Sequence, residues 1–548
     1  MRNRLIIIGY DGGTFKVIDP LIKQGRLPNF KRLLDTGTRS ILKSTVPPLT
    51  PPAWITFMTG RNPGHHGFFD FRRMGKITYD SAYVMRSQFT HTLLHSGHYS
   101  GNTLWDILSR AGYKVSSIMM PITYPAWPVN GYMVAGHPSP DYKKPNTYPP
   151  EWSKEIGELF DISAINPGNE VGLVAECKTL IKRVEAVLLR QLAAKECDVY
   201  GIVFSSTDFA QHHLWKYLSN GASPFASAIQ EMYIEIDKTI GEILKLVEQD
   251  KCSILVLSDH GFCASARKYF HPNVWLKDNG YLTFKQGNVS GKMVELLWKP
   301  IRYQKMKLKL FLKNRFARLP EGLQKKIANT YYQANQVEWL QTRAFRCKVG
   351  LVEGVVINLK NRLPQGTVAE SEYESLRDEI IGKLKKISDP QTGQPVINEV
   401  YKREELYKGK YVEVVPDIIY SFNPLYRGGF NSQGAAVTAV PPDYLEGLSG
   451  THDRDGILVL NGPKFKKNLV IDPVQMVDLL PTLLFDLGLP LPQHLDGRVI
   501  REALKEPYSA MPAQYSDEKI VEKEAETDLS SEDEETMKQA LKGLGYLE

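Results

Sequence analysis

The sequence predicts an α/β protein: a mostly parallel sheet with helices on both faces and an inserted helical cap. Three observations carry this expectation. Apolar, β-rich runs that end in turns recur along the chain. Helical patterns alternate with those runs, which favours parallel strands joined by helical crossovers. Asp, His and Thr residues suited to chemistry stand where the runs end, at the strand edge where open α/β sheets gather their sites.

The strand-like runs are LIIIGYDGG, YKVSSIMMP, DVYGIVFSSTD, CSILVLSDHG and GILVLNGP. The helical patterns are NFKRLLDTG, TLWDILSRAG, the stretch 171–195, SAIQEMYIEIDKTIGEILKLVEQ and VQMVDLLPTLLFDLG. Gly37, Gly112 and Gly488 follow three of these helices as C-terminal caps. Residues 1–285 read as the first part of the core and 286–345 as a basic, amphipathic cap insertion. The alternation resumes over 346–505, with GLVEGVVINL, a helix near 369–388 and PDIIYSF, and brings the chain back to the core. Residues 506–548 form an acidic tail ending in a short helix, with Ser531 and Glu534 spaced as a capping box. No internal repeat is present.

With 548 residues, 42% of them apolar and 24% charged, the chain has the composition of a globular enzyme with a large core. No apolar run is long enough to cross a bilayer. The N-terminal MRNRLIIIGYDGG reads as a first strand rather than a signal peptide. Its five cysteines are scattered and never paired as CxxC, so a reducing, cytoplasmic setting is expected. The net charge of +7 is unevenly placed: residues 291–330 carry a balance of +9 and residues 511–548 a balance of −7.

Asp208-x-x-x-His212 lies at a helix start, where both side chains share one face and can share a zinc ion. A capping Asp beside a solvent-facing His is the alternative, and His213 points elsewhere. Asp259–His260 follows an apolar strand and precedes Gly261, which permits the chain to bend both side chains into a site. A polar turn would look the same. Asp11 follows RLIIIGY and precedes Gly12–Gly13, as a ligand or as a helix cap. The GYDGG turn lacks the pattern of a nucleotide-binding loop. Thr50, within VPPLTPPAWITFMTG, reads as a helix N-cap whose neighbouring N–H groups face any bound anion. As a metal ligand its hydroxyl would be deprotonated by direct zinc coordination for attack on phosphorus, and an ordinary capping Thr is the alternative. His452 stands in the Gly-flanked loop SGTHDRDG. Two clusters of Asp and His with a hydroxyl suit a two-metal site that activates an oxygen nucleophile against phosphorus.

The ordered set resembles the alkaline-phosphatase superfamily, and within it the type I phosphodiesterase/nucleotide pyrophosphatase family. The likeness covers most of residues 4–500. It includes Thr59–Gly60–x–x–Pro63–Gly64–x–His66–Gly67, TDFAQH, SDHGF, GTHDRDG and DLLPTLLFDLGLPLPQHLDGR. The resemblance implies an alkaline-phosphatase-like fold and two divalent metal ions, with zinc expected and manganese an option where carboxylates dominate. It implies that Asp208, His212 and His452 hold one ion, that Asp11, Asp259 and His260 hold the other, and that Thr50 is the nucleophile. The implied reaction is hydrolysis of a small phosphodiester or pyrophosphate through a covalent phospho-threonine. Transfer to an alcohol, as in a phosphotransferase or phosphomutase, is the alternative enzyme reading; a non-catalytic metal-binding scaffold is the alternative outside catalysis. Position 53 is Ala where nucleotide pyrophosphatases typically carry Asn, so another donor must take the nonbridging phosphate oxygen. Sulfatases need a modifiable Cys or Ser in a context that Thr50-Pro-Pro-Ala does not offer.

SIMMPITYPAWPVNG and LLHSGHYSGNTLW are candidate pocket walls, with core packing as the alternative. The basic cap has three readings: a solvated helical face, a guide for an anionic substrate, or a peripheral contact of residues 291–318 with an anionic membrane. No nucleic-acid-binding module is recognisable, and the oligomeric state is not legible.

Overall fold

A computed structural model describes residues 4–79, 89–159, 168–248, 250–285, 337–349, 352–441, 448–520 and 529–543. The main sheet is built from β1 (Arg4–Tyr10), β2 (Gly37–Lys43), β3 (Val115–Met120), β4 (Gly131–Ala135), β5 (Thr147–Tyr148), β6 (Val199–Phe204), β7 (Cys252–Leu257), β8 (Asp455–Asn461) and β9 (Leu469–Val470). Their order is β9-β2-β8-β7-β1-β6-β3-β4-β5, and Val474–Gln475 also pairs with β2. The five strands β7-β1-β6-β3-β4 run parallel. Antiparallel pairing enters with β8, which lies between β7 and β2, and with β5 at the far edge.

Alternate residues of β1 face opposite cores, because successive side chains of a strand point to opposite faces. Leu5 and Ile7 enter one apolar cluster with helices Thr50–Thr59, Leu104–Arg110 and Leu479–Leu487. Ile6, Ile8 and Tyr10 enter another, with helices Phe15–Lys23, Pro28–Thr36, Glu170–Ala194 and Ala228–Leu246. A sheet covered on both faces needs strands that are apolar throughout, as VYGIVF and CSILVL are. Two glycines let indoles lie against the sheet. A Cβ on Gly9 would stand 2.6 Å from the Trp54 ring, and one on Gly201 would stand 2.5 Å from the Trp105 ring. The first contact seats the helix that begins at Thr50.

Two expectations need correction. Residues 344–422 do not rejoin the main sheet: Ala344–Val349, Val352–Ile357, Ile418–Phe422 and Ile397–Lys402 form a separate four-stranded antiparallel sheet with its own apolar core. Antiparallel neighbours need only short connections, so these strands pair locally; the chain re-enters the main sheet at β8. Gly37 caps the Pro28–Thr36 helix as expected, donating its N–H to Leu34 O, but with an extended rather than a left-handed backbone. It is the first residue of β2, at φ −135°, and a Cβ there would press on the Leu460 and Leu33 carbonyl oxygens. Gly112 and Gly488 do adopt the left-handed conformation. At the C-terminus, the capping hydroxyl belongs to Ser530 rather than Ser531, and it accepts from Asp533 N at 3.1 Å.

The acidic Ser531–Gly543 helix is docked. Met537 and Leu541 are buried in the core cluster that contains Leu5, and Glu534 accepts the Leu93 N–H at 3.1 Å. Residues 286–336 of the expected cap, including the stretch 291–318, lie outside the described residues. Among the described residues no helix is long and apolar enough to cross a membrane.

Candidate metal centre

Parallel pairing brings three strand ends to one edge. Tyr10 lies opposite Phe204, and Gly9 lies opposite Leu257. The residues that follow therefore converge: Asp11 after β1, the Ser206–Leu214 helix with Asp208 and His212 after β6, and Asp259–His260 after β7. His452 arrives by a route that local sequence does not reveal. It lies in a short strand, Gly450–Asp453, rather than in a loop. That strand pairs antiparallel with Gly261–Ala264, placing His452 opposite Phe262.

All seven expected residues meet. His212 Nε2 is 3.5 Å from Asp208 Oδ1 and 3.0 Å from His452 Nε2, while His452 Nε2 is 3.4 Å from Asp208 Oδ1. Ligand bonds of about 2.0–2.1 Å in a tetrahedron put donor atoms roughly 3.3 Å apart, so this triangle has the size of a zinc site. In the other set, His260 Nε2 is 3.2 Å from Asp259 Oδ2 and 3.8 Å from Asp11 Oδ1. His260 also lies within reach of Asp208 and His452, so it stands between the sets.

The histidines are oriented to present Nε2. His452 Nδ1 is 2.9 Å from the Pro48 carbonyl oxygen, and His260 Nδ1 is 3.1 Å from that of Gly261. A carbonyl can only accept, so each Nδ1 carries the proton and each Nε2 is free to act as a donor atom. Burial, together with the neighbouring His452, holds His260 well below its ordinary pKa. Burial pushes His212 down to about 4. Both rings are neutral near pH 7, the form that binds metal.

The carboxylates carry the opposite stress. Burial raises the Asp11 carboxyl well above its usual range, and the charges of Asp259 and Asp208 add to the effect. Burial and Asp208 push Asp259 up to about 7. Burial acts on Asp208 too, but His212 and His452 outweigh it and hold Asp208 low. Asp11 Oδ1 and Asp259 Oδ2 are buried without a hydrogen-bond partner among the described residues. Three buried carboxyls with two unmatched oxygens beside neutral imidazoles form a donor set that fits divalent cations.

Thr50 is the first residue of its helix rather than the cap. Leu49 takes the cap position, and Thr50 Oγ1 lies 3.5 Å from His260 Nε2. The expected row of N–H groups at this helix start is absent. Pro51 and Pro52 have no N–H, and Ala53 N–H donates to Leu49 O at 3.1 Å. Only the Thr50 N–H remains for an anion at that end. His213 is buried. The proposed pocket walls are core: Tyr99, Trp105 and Trp127 belong to the cluster beneath the sheet. Sequence reasoning missed Phe262, whose ring lies within 4.9 Å of the His212 ring and 5.5 Å of the His452 ring. Its only signal was its place directly after the Asp259–His260–Gly261 turn.

The family model for type I phosphodiesterase/nucleotide pyrophosphatase matches residues 5–440. The chain belongs to this family. Membership makes it an enzyme, and phosphodiester hydrolysis is the reaction of the type I phosphodiesterase family. The match ends before His452, whose place in the cluster rests on strand pairing. Among solved structures, the chain is similar to murine ectonucleotide pyrophosphatase/phosphodiesterase 5, determined alone and as an inactive variant in complex with AMP. Each murine structure shows 13% identity and a TM-score of 0.46, covering 92% of this chain and 100% of that one. The human counterpart shows 14% identity with the same coverage and a TM-score of 0.44. No curated protein matches the sequence.

Proposed function

We propose that the chain hydrolyses a small phosphodiester or pyrophosphate at a two-metal site, with Thr50 as the nucleophile. One observation carries the proposal: three buried carboxyls and three imidazoles converge beside a buried hydroxyl that caps no helix. Asp208, His212 and His452 would hold one divalent ion, and Asp11, Asp259 and His260 the other; zinc suits the nitrogen-rich set. When bound, the ions supply Lewis-acid stabilisation of the attacking and leaving oxygens and favour ionisation of the hydroxyl.

Thr50 Oγ1 attacks phosphorus in line, the bond to the leaving oxygen breaks with its electron pair, and that oxygen takes up the Thr50 proton as it departs. Water then attacks the phosphoryl-threonine, releases the product and returns a proton to Oγ1. The helix starting at Thr50 holds the hydroxyl still, because Trp54 is locked against Gly9 of β1. With Ala at position 53, the Thr50 N–H is the amide left to meet a nonbridging oxygen. All five cysteines are buried thiols without a disulfide, which supports a reducing, cytoplasmic setting.

The test is turnover of chromogenic phosphodiesters and phosphomonoesters by metal-analysed protein, with acid quenching and intact-mass measurement during turnover. A mass increase on Thr50, absent in Thr50→Ala, supports the covalent route. Turnover that survives Thr50→Ala overturns it.

A further inference from the structure

Five backbone polar groups of the turn that carries Asp11 are held by side chains from other elements. Thr207 Oγ1 donates to Asp11 O at 2.6 Å, and Gly12 N–H donates to Asp259 Oδ1 at 3.0 Å. Ser258 Oγ donates to Gly13 O at 3.0 Å. The other two groups are held by one relay. Gln211 Nε2 donates to Gly12 O at 2.9 Å, Tyr233 Oη donates to Gln211 Oε1 at 3.1 Å, and Thr14 N–H donates to Tyr233 Oη at 3.2 Å.

The relay lies between the two ligand sets. Gln211 sits on the Ser206–Leu214 helix, next to His212 and three residues after Asp208. Its amide grips Gly12, the residue after Asp11, while the other side of Gly12 grips Asp259. The relay is rigid and dry: Gln211 is 0% exposed and Tyr233 1%. The Tyr233 ring is stacked on Tyr10 at 5.7 Å and 28°. Gly12 sits at φ +67°, where a Cβ would meet Phe262 at 2.8 Å and Gln211 Nε2 at 3.2 Å, so the turn has no slack.

We propose that Gln211 and Tyr233 are positioning residues that set the separation between the two metal ions. The proposal rests on the two-metal reading above. Neither side chain belongs to the ligand sets. Their effect passes through Gly12, which is bonded to Gln211 by its carbonyl and to Asp259 by its N–H. Loss of the relay frees Asp11 and Asp259 to shift relative to Asp208 and His212.

The experiment loads the full chain with Mn2+ and measures stoichiometry, stepwise affinity and the electron paramagnetic resonance signature of the coupled ion pair. It compares wild type, Tyr233→Phe, Gln211→Met and Ser116→Ala. The last removes an equally buried hydrogen bond, from Ser116 Oγ to Gln191 Oε1 at 2.6 Å, on a strand that carries no ligand. The expected result is that Tyr233→Phe and Gln211→Met weaken the second Mn2+ by about 10–100-fold, the usual effect of losing an outer partner of a ligand. Their coupled signal is altered, and kcat falls more than KM rises. Ser116→Ala keeps wild-type coupling despite a comparable loss of thermal stability. Relay variants with wild-type coupling and affinity overturn the positioning role and leave the two-metal reading standing. Wild-type protein that binds fewer than two ions overturns both.

Discussion

The imidazole of His260 lies flat on that of His452, with ring centroids 3.7 Å apart and 21° between the planes. Nε2 of His260 faces Asp259 and Asp11, whereas Nε2 of His452 faces His212 and Asp208. The stacked pair is thus a shared wall between the ligand sets. Burial, together with the adjacent His452, keeps the His260 ring neutral within this stack.

The two sets separate by mutation. His452→Ala should leave the Asp11–Asp259–His260 set able to bind one ion, and it should weaken the other ion by more than about 100-fold. Metal analysis after dialysis should read near one ion per chain. His260→Ala removes the shared wall and should lower the occupancy of both sets.

Thr50→Ala should lower kcat by a factor on the order of 10^4–10^6, the scale set by removing a nucleophile. Metal content should stay unchanged, because six other ligand residues remain. Thr50→Ser keeps the hydroxyl and should retain measurable turnover. Steady-state kinetics of metal-loaded variants decides between these outcomes.

Metal-free protein should lose stability as pH rises through neutrality. The Asp11 and Asp259 carboxyls have folded-state pKa values above those of the unfolded chain, so the folded state binds the extra protons. Stability present below about pH 4 is therefore lost through the window ending at about 7, where Asp259 titrates. The shift of Asp259 alone corresponds to at most about 4 kcal/mol. Burial of His212 and His260 acts with the opposite sign below about pH 6.5, so thermal melts in chelator should show Tm falling from about pH 6.5 upward, with added zinc restoring it. A Tm in chelator that rises over that range would contradict the buried-carboxylate account.

The C-terminal helix should contribute to global stability. Leu541 is fully buried and Met537 is nearly so. Leu541→Ala should cost about 2–4 kcal/mol, and urea unfolding should show a lower midpoint with an unchanged slope. A variant with the wild-type midpoint would mean that the helix detaches in solution.

Local pattern alone was enough for the alternating α/β plan and for the strand ends that carry Asp11, Asp208 and Asp259. Period-2 and period-3.6 patterns are written within a few residues, and apolar strands announce a sheet covered on both faces. The spacing of Asp208 and His212 on a helix, and the adjacency of Asp259 and His260, are local facts as well. Only tertiary structure decided that Gly450–Asp453 pairs with Gly261–Ala264, which swings His452 onto His260. It likewise made Thr50 the first helical residue instead of the cap, split residues 344–422 into a separate sheet, and drew Tyr233 onto Gln211. Those outcomes depend on registers and close contacts between segments far apart in the chain, and a one-residue slip in such a register reverses which side chains face the site.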